Sequence, residues 1–124
     1  MMNRSIILVL ATTLPALTLP SNALADRSHS IHTPRGEVIT LVIASSVLKN
    51  TRIHDLAFSE SGDVFSITAA PLPSADSMQT ISIGFHQGST VAQTDYVAIG
   101  PGKTVQEVYC PESFDQIVID SSGY

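Results

Sequence analysis

The side chains able to do chemistry in this chain of 124 residues are few and widely spaced. Four histidines, His29, His32, His54 and His86, and one cysteine, Cys110, are the first candidates. His29 and His32 lie in a His-Ser-Ile-His stretch with Asp26 close by, a donor set able to hold Cu(II) or Zn(II) weakly. A blue-copper centre needs a His, and usually a Met, soon after its Cys, and neither follows Cys110. Ser, His and Asp all occur, but without a Gly-x-Ser-x-Gly elbow or a His-Glu-x-x-His helix. The carboxylates Asp55, Glu60 and Asp63 flank turns, where their ordinary work is capping backbone groups. Gly100, Gly102 and Lys103 make too short a glycine run to cradle phosphate. Cys110 has no cation near it in sequence to lower its pKa, and is expected to be a buried, inert thiol, with an intermolecular disulfide and then a reactive thiol as the alternatives. The expectation is a protein that is not an enzyme, with no cofactor and no metal.

Binding is the chemistry left, and the elements that would position it are strands. Met78 to Gln87 alternates cleanly: Ile81, Ile83 and Phe85 face one way, and Thr80, Ser82 and His86 face the other. That polar face, Thr80, Ser82 and His86, is the candidate binding surface, and an ordinary solvated strand face is its competing reading. Around it run further short segments rich in Val, Ile, Thr, Phe and Tyr, punctuated by turn residues. Glu37 to Ala44 is nearly all apolar, as expected for a strand covered on both faces. Arg52 to Glu60 reads as a strand with His54, Leu56 and Phe58 on one face. Ser61-Gly62-Asp63 signals a turn, and Val64 to Ala69 returns with Phe65 and Ile67 inward.

Pro71-Leu72-Pro73-Ser74 cannot continue a ladder and reads as a crossing loop. Val91 to Ile99, Thr104 to Cys110 and Phe114 to Asp120 complete the set, separated at Gly100 to Lys103 and Pro111 to Ser113. About seven strands with no helical period outside the amino-terminal segment predict an all-β fold. The expected architecture is a small antiparallel β-sandwich of immunoglobulin or fibronectin type, with a small closed barrel as alternative.

The amino-terminal segment is of a different kind. Arg4 precedes an apolar run, Ile6 to Ala11, and the stretch ends Ala23-Leu24-Ala25, the order of an export signal. Residues 1–25 are therefore expected to be a cleaved signal peptide, residues 26–36 a loose polar leader, and residues 37–124 one β-sandwich domain. Cleavage removes one cation, taking the formal charge from −5 to −6. An acidic domain is a poor match for nucleic acid or an anionic membrane surface. A periplasmic or secreted location follows, with no stable membrane insertion. The partner would be another exported protein, and the protein a monomer or weak dimer. A lone cysteine means that no intrachain disulfide supports the fold.

A set of short elements points further. Gly62-Asp63-Val64-Phe65-Ser66-Ile67 opens one strand, and the alternation through Ile81 and Ile83 forms another. A Gly88-Ser89 turn, Gln93-Thr94, the Gly100 to Gly102 turn and a closing strand, Asp115 to Gly123, follow. In these elements Gly62 to Ser122 resembles the curli assembly protein C family, small periplasmic immunoglobulin-like proteins that hold back premature amyloid formation by the curli fibre subunit. The resemblance implies that fold, a periplasmic location and a chaperone-like inhibitory role toward an amyloid fibre subunit. The family's Cys-x-Cys pair would fall near Asp76 to Gln79, where this chain has no cysteine, so no redox role carries over. Asp26 to Thr51 is an addition to the family pattern. Two other roles stay open: an adhesive or structural module of a surface structure binding protein or glycan, and a weak periplasmic metal carrier using His29 and His32.

Overall fold

A computed structural model describes residues 26–73 and 78–121. The expected signal peptide, the Ser74 end of the crossing loop and the last three residues lie outside this set. Eight strands and one short helix occur in the order β1 (Arg27–His32), β2 (Val38–Ile43), α1 (Ser45–Asn50), β3 (Thr51–Phe58), β4 (Val64–Pro71), β5 (Gln79–Gln87), β6 (Thr90–Ile99), β7 (Thr104–Tyr109) and β8 (Gln116–Ser121). They form two sheets, one of five strands in the order β1-β2-β8-β5-β6 and one of three in the order β3-β4-β7. All pairings are antiparallel except β2 with β8, which run parallel from Thr40 opposite Gln116 to Ile43 opposite Ile119. The expected all-β sandwich is the fold.

Alternation decides which faces close on each other. Ile39, Leu41 and Ile43 of β2, Ile81, Ile83 and Phe85 of β5, and Ile117 and Ile119 of β8 are buried in one layer. Ile53, Leu56, Phe65, Ile67, Ala69 and Val108 oppose them from the smaller sheet. Each fully buried residue of this size contributes on the order of 1.5–3 kcal/mol relative to exposure. All four phenylalanines form a file through the core. Phe58 meets Phe65 at 5.2 Å between ring centroids, Phe65 meets Phe85 edge-on at 6.4 Å, and Phe85 meets Phe114 edge-on at 5.1 Å. Edge-to-face pairs add to area burial because the ring's positive rim meets a negative face.

Four expectations need correction. The stretch from Asp26 to Gly36 is no loose leader: Arg27 to His32 pairs with all of β2, and Ile31 is buried. Among the described residues strand β2 is covered on one face only, because its other face (Val38, Thr40, Val42) is the outside of the sheet. A helical turn, α1, which no 3.6-residue period announced, seats Val47 in the core. In β3 the register shifts between Ile53 and Asp55, so His54 is exposed and Ile53 takes the inward place beside Leu56. The expected turn at Ser61 to Asp63 is present, and Gly62 adopts a φ of 82°, a conformation that costs an L side chain strain.

Candidate functional site

The outer face of the five-stranded sheet carries the predicted trio. On β5 the inward side chains are Ile81, Ile83 and Phe85, so the pleat turns Thr80, Ser82 and His86 outward together. The register sets their neighbours: Thr80 faces Ala98, Ser82 lies between Asp120 and Tyr96, and His86 lies between Gln116 and Val91. Gly84 lies between Ser82 and His86. A Cβ built there would come within 3.3 Å of His86 Nε2, so the imidazole rests where a side chain would otherwise stand. The Ser82 hydroxyl donates weakly to the Asp120 carbonyl at 3.5 Å. The far end of β5 is pinned: the Asp115 N–H donates to the His86 carbonyl at 2.8 Å, and the Gly88 N–H donates to the Asp115 carboxylate at 3.1 Å.

This face is broad and lightly charged, with Asp120 the one carboxylate that β5, β6 and β8 turn outward. It offers hydroxyls, an imidazole and methyl groups, the equipment for docking another surface. Among the described residues no serine on it is held by a histidine, and its outward histidines, His32 and His86, are three strands apart. Among the described residues no three His, Cys, Asp or Glu side chains group as for a metal ion. Strand geometry separates the other candidate donors. His29 and His32 point to opposite faces of β1, so the pair does not converge on one ion.

Cys110 follows β7, half-buried against the core, with its N–H donating to the Asp63 carbonyl at 2.8 Å. Burial pushes its thiol up from 9.0 to about 12; nearby Arg35 pulls it down and Asp63 adds to the rise. At neutral pH the group is a protonated thiol and a poor nucleophile. Asp63, read in sequence as a turn cap, holds the Arg35 guanidinium at 2.7 Å, while Arg35 Nε donates to the Ser61 carbonyl at 3.3 Å.

A second constellation escaped the sequence reading. β6 and β7 are the edges of the two sheets on the same side of the sandwich, and side-chain amides bridge them. Gln106 Nε2 of β7 donates to the Ala98 carbonyl of β6 at 2.8 Å. Gln93 Nε2 of β6 donates to the Tyr109 carbonyl of β7 and, at 2.7 Å, to Asp95 Oδ2. Asp95 lies opposite the fully buried Ile83, so a carboxylate points inward from an edge strand. Its signal in the sequence is a polar pair, Gln93 and Asp95, at the parity of Val97 and Ile99. Outside this rim stand Val91, Tyr96, Val105 and Tyr109, each more than half exposed. Compared with known proteins, the chain matches no family model, no curated protein and no solved structure.

Proposed function

We propose that this chain is an exported, non-enzymatic protein-binding β-sandwich of immunoglobulin-like type that restrains premature assembly of a curli-like amyloid fibre. The observation that carries the binding reading is the outer face of the five-stranded sheet, where Thr80, Ser82 and His86 lie flat and uncapped beside Tyr96. Such a face can lie against a partner's extended chain and offer hydrogen bonds at intervals of two residues. The fibre-restraining part rests on the resemblance of Gly62 to Ser122, and the periplasmic setting on the amino-terminal segment. A metal-carrying role draws no support from β1, where His29 and His32 diverge.

The test is thioflavin fluorescence against time with the fibre subunit encoded by the same organism. The protein is expected to lengthen the lag at substoichiometric ratio, because growing ends and nuclei are rare and expose strand edges. Cys110→Ser should retain the effect, and an unrelated acidic β-sandwich should lack it. Thr80→Asp with Ser82→Asp, both on the solvent side, should weaken it while leaving thermal unfolding cooperative. A lag unchanged by the wild-type protein would remove the fibre role.

A further inference from the structure

We infer that the β6 edge accepts one extended strand from another protein, and that Asp95 selects a strand with a lysine or arginine opposite it. The inference rests on the protein-binding reading above and names where and what the chain would bind. β6 ends the five-stranded sheet, so among the described residues no strand lies along one side of its backbone. The Ala98 carbonyl, bonded from across the rim by Gln106, marks which residues turn their peptide groups that way. With no shift of register between Gln93 and Ile99, Thr94 and Tyr96 turn theirs the same way. Their N–H and C=O groups are thus directed outward, next to an aromatic side chain that is 64% exposed.

Asp95 then falls at a position without direct ladder bonds to an incoming antiparallel strand, where opposed side chains approach most closely. It points between the sheets, half-buried, and Gln93 occupies one of its oxygens. A cation opposite would reach a carboxylate partly shielded from water, whereas an acid there would meet like charge. No residue of β6 or β7 is basic, and the charged ones are Asp95 and Glu107. Flanking residues of the incoming strand would face outward, over Tyr96 on one side. The chemistry of the occupant is therefore an extended segment alternating apolar and basic residues.

A second copy of this chain fits less well. Two β6 edges meeting antiparallel about Asp95 would oppose carboxylate to carboxylate. The same residue thus discourages self-association and admits a basic stranger, as inward charges on edge strands do.

The test uses the full chain and two end-blocked decapeptides, one alternating valine and lysine, the other valine and glutamate. The valine–lysine peptide should move the amide resonances of Thr94 and Tyr96 and bind on the order of tenfold more tightly than its acidic counterpart. Asp95→Asn, which keeps an acceptor for Gln93, should abolish that preference and leave the fold intact. Failure of the valine–lysine peptide to bind, resonance changes centred on Thr80, Ser82 and His86, or a preference that survives Asp95→Asn would each overturn the inference. So would growth of oligomers with protein concentration that Asp95→Asn suppresses. The two readings separate cleanly. A lag lengthened equally by wild type and Asp95→Asn sinks the edge and spares the fibre role. Peptide binding with an unchanged lag does the reverse.

Discussion

The two open sides of the sandwich are closed by different means. On the β6–β7 side, glutamine amides from each sheet reach backbone carbonyls of the other, so the rims are tied together by hydrogen bonds. On the β1–β3 side the protection is local to each strand. β1 turns Arg27 and His29 inward, and His29 Nε2 is buried without a hydrogen-bond partner among the described residues. β3 breaks its own register at His54. The inward charges differ in sign as well, Arg27 on β1 and Asp95 on β6. An edge can be blocked by tying it to a neighbour or by spoiling its regularity. Tying keeps the strand straight and leaves a clean stretch of backbone beside the tie, which is where a partner strand can add.

Changes to the shared core should abolish the distinction. Ile83→Asp places an unpaired carboxylate in the layer both rims stand on, and burial of such a group costs several kcal/mol, of order the stability of a small domain. Loss of the cooperative melting transition is expected, and a soluble variant with a sharp transition would mean the inward face is misassigned. Ile31→Ala should act on one side only. Removing most of a buried isoleucine costs about 2–5 kcal/mol, and amide exchange should quicken in β1 before it does in β6. Equal acceleration on both sides would show that the rims are not independent.

Smaller effects separate the two sides further. Gln106→Ala leaves the Ala98 carbonyl without its donor and should cost about 0.5–1.5 kcal/mol in denaturant unfolding. Exchange should quicken in β6 and β7, with β1 untouched. The smallest signal concerns the thiol at the end of β7. In the folded chain Cys110 holds its proton up to about 12, above its ordinary value of 9.0. The thiol's contribution to stability is therefore fully present below pH 9 and is lost as pH climbs from 9 toward 12, because only the unfolded chain releases the proton there. Cys110→Ser should flatten that decline, and wild-type Cys110 should react with iodoacetamide at pH 8 only after unfolding in urea. Rapid labelling of the native protein would show that the rim opens there.

Legibility followed the strength of the two-residue period. β5 was readable because buried isoleucines alternate with polar residues over its whole length, and the outward trio came with it. β1 was not, since of Arg-Ser-His-Ser-Ile-His only Ile31 is apolar, and an edge strand needs little more. β2 looked two-sided because Val38, Thr40 and Val42 are chosen for strand propensity, whichever way they face. Six residues of α1 are too few to declare a helical period. In β3 one extra residue at His54 reversed the expected parity, and nothing in the local composition marks it. The Gln93–Asp95–Gln106 rim was hidden for another reason: it joins strands of different sheets, and a polar residue at an inward parity looks like noise until the edge is known.

The parallel pairing of β2 with β8 has a mechanical consequence. Arg27 and Ser121 lie at the same end of the sheet, so tension applied at these two points first peels β1 from β2 one bond at a time. Once β1 and the turn after it are drawn out, the load passes to the opposite end of β2. The parallel ladder, with the Thr40 N–H on the Asp115 carbonyl and the Ala44 N–H on the Ile119 carbonyl, is then pulled along its length and its bonds share the force. Such a chain would lengthen at low force by a short, fixed step and then stiffen, yielding its core only when the whole clamp fails together.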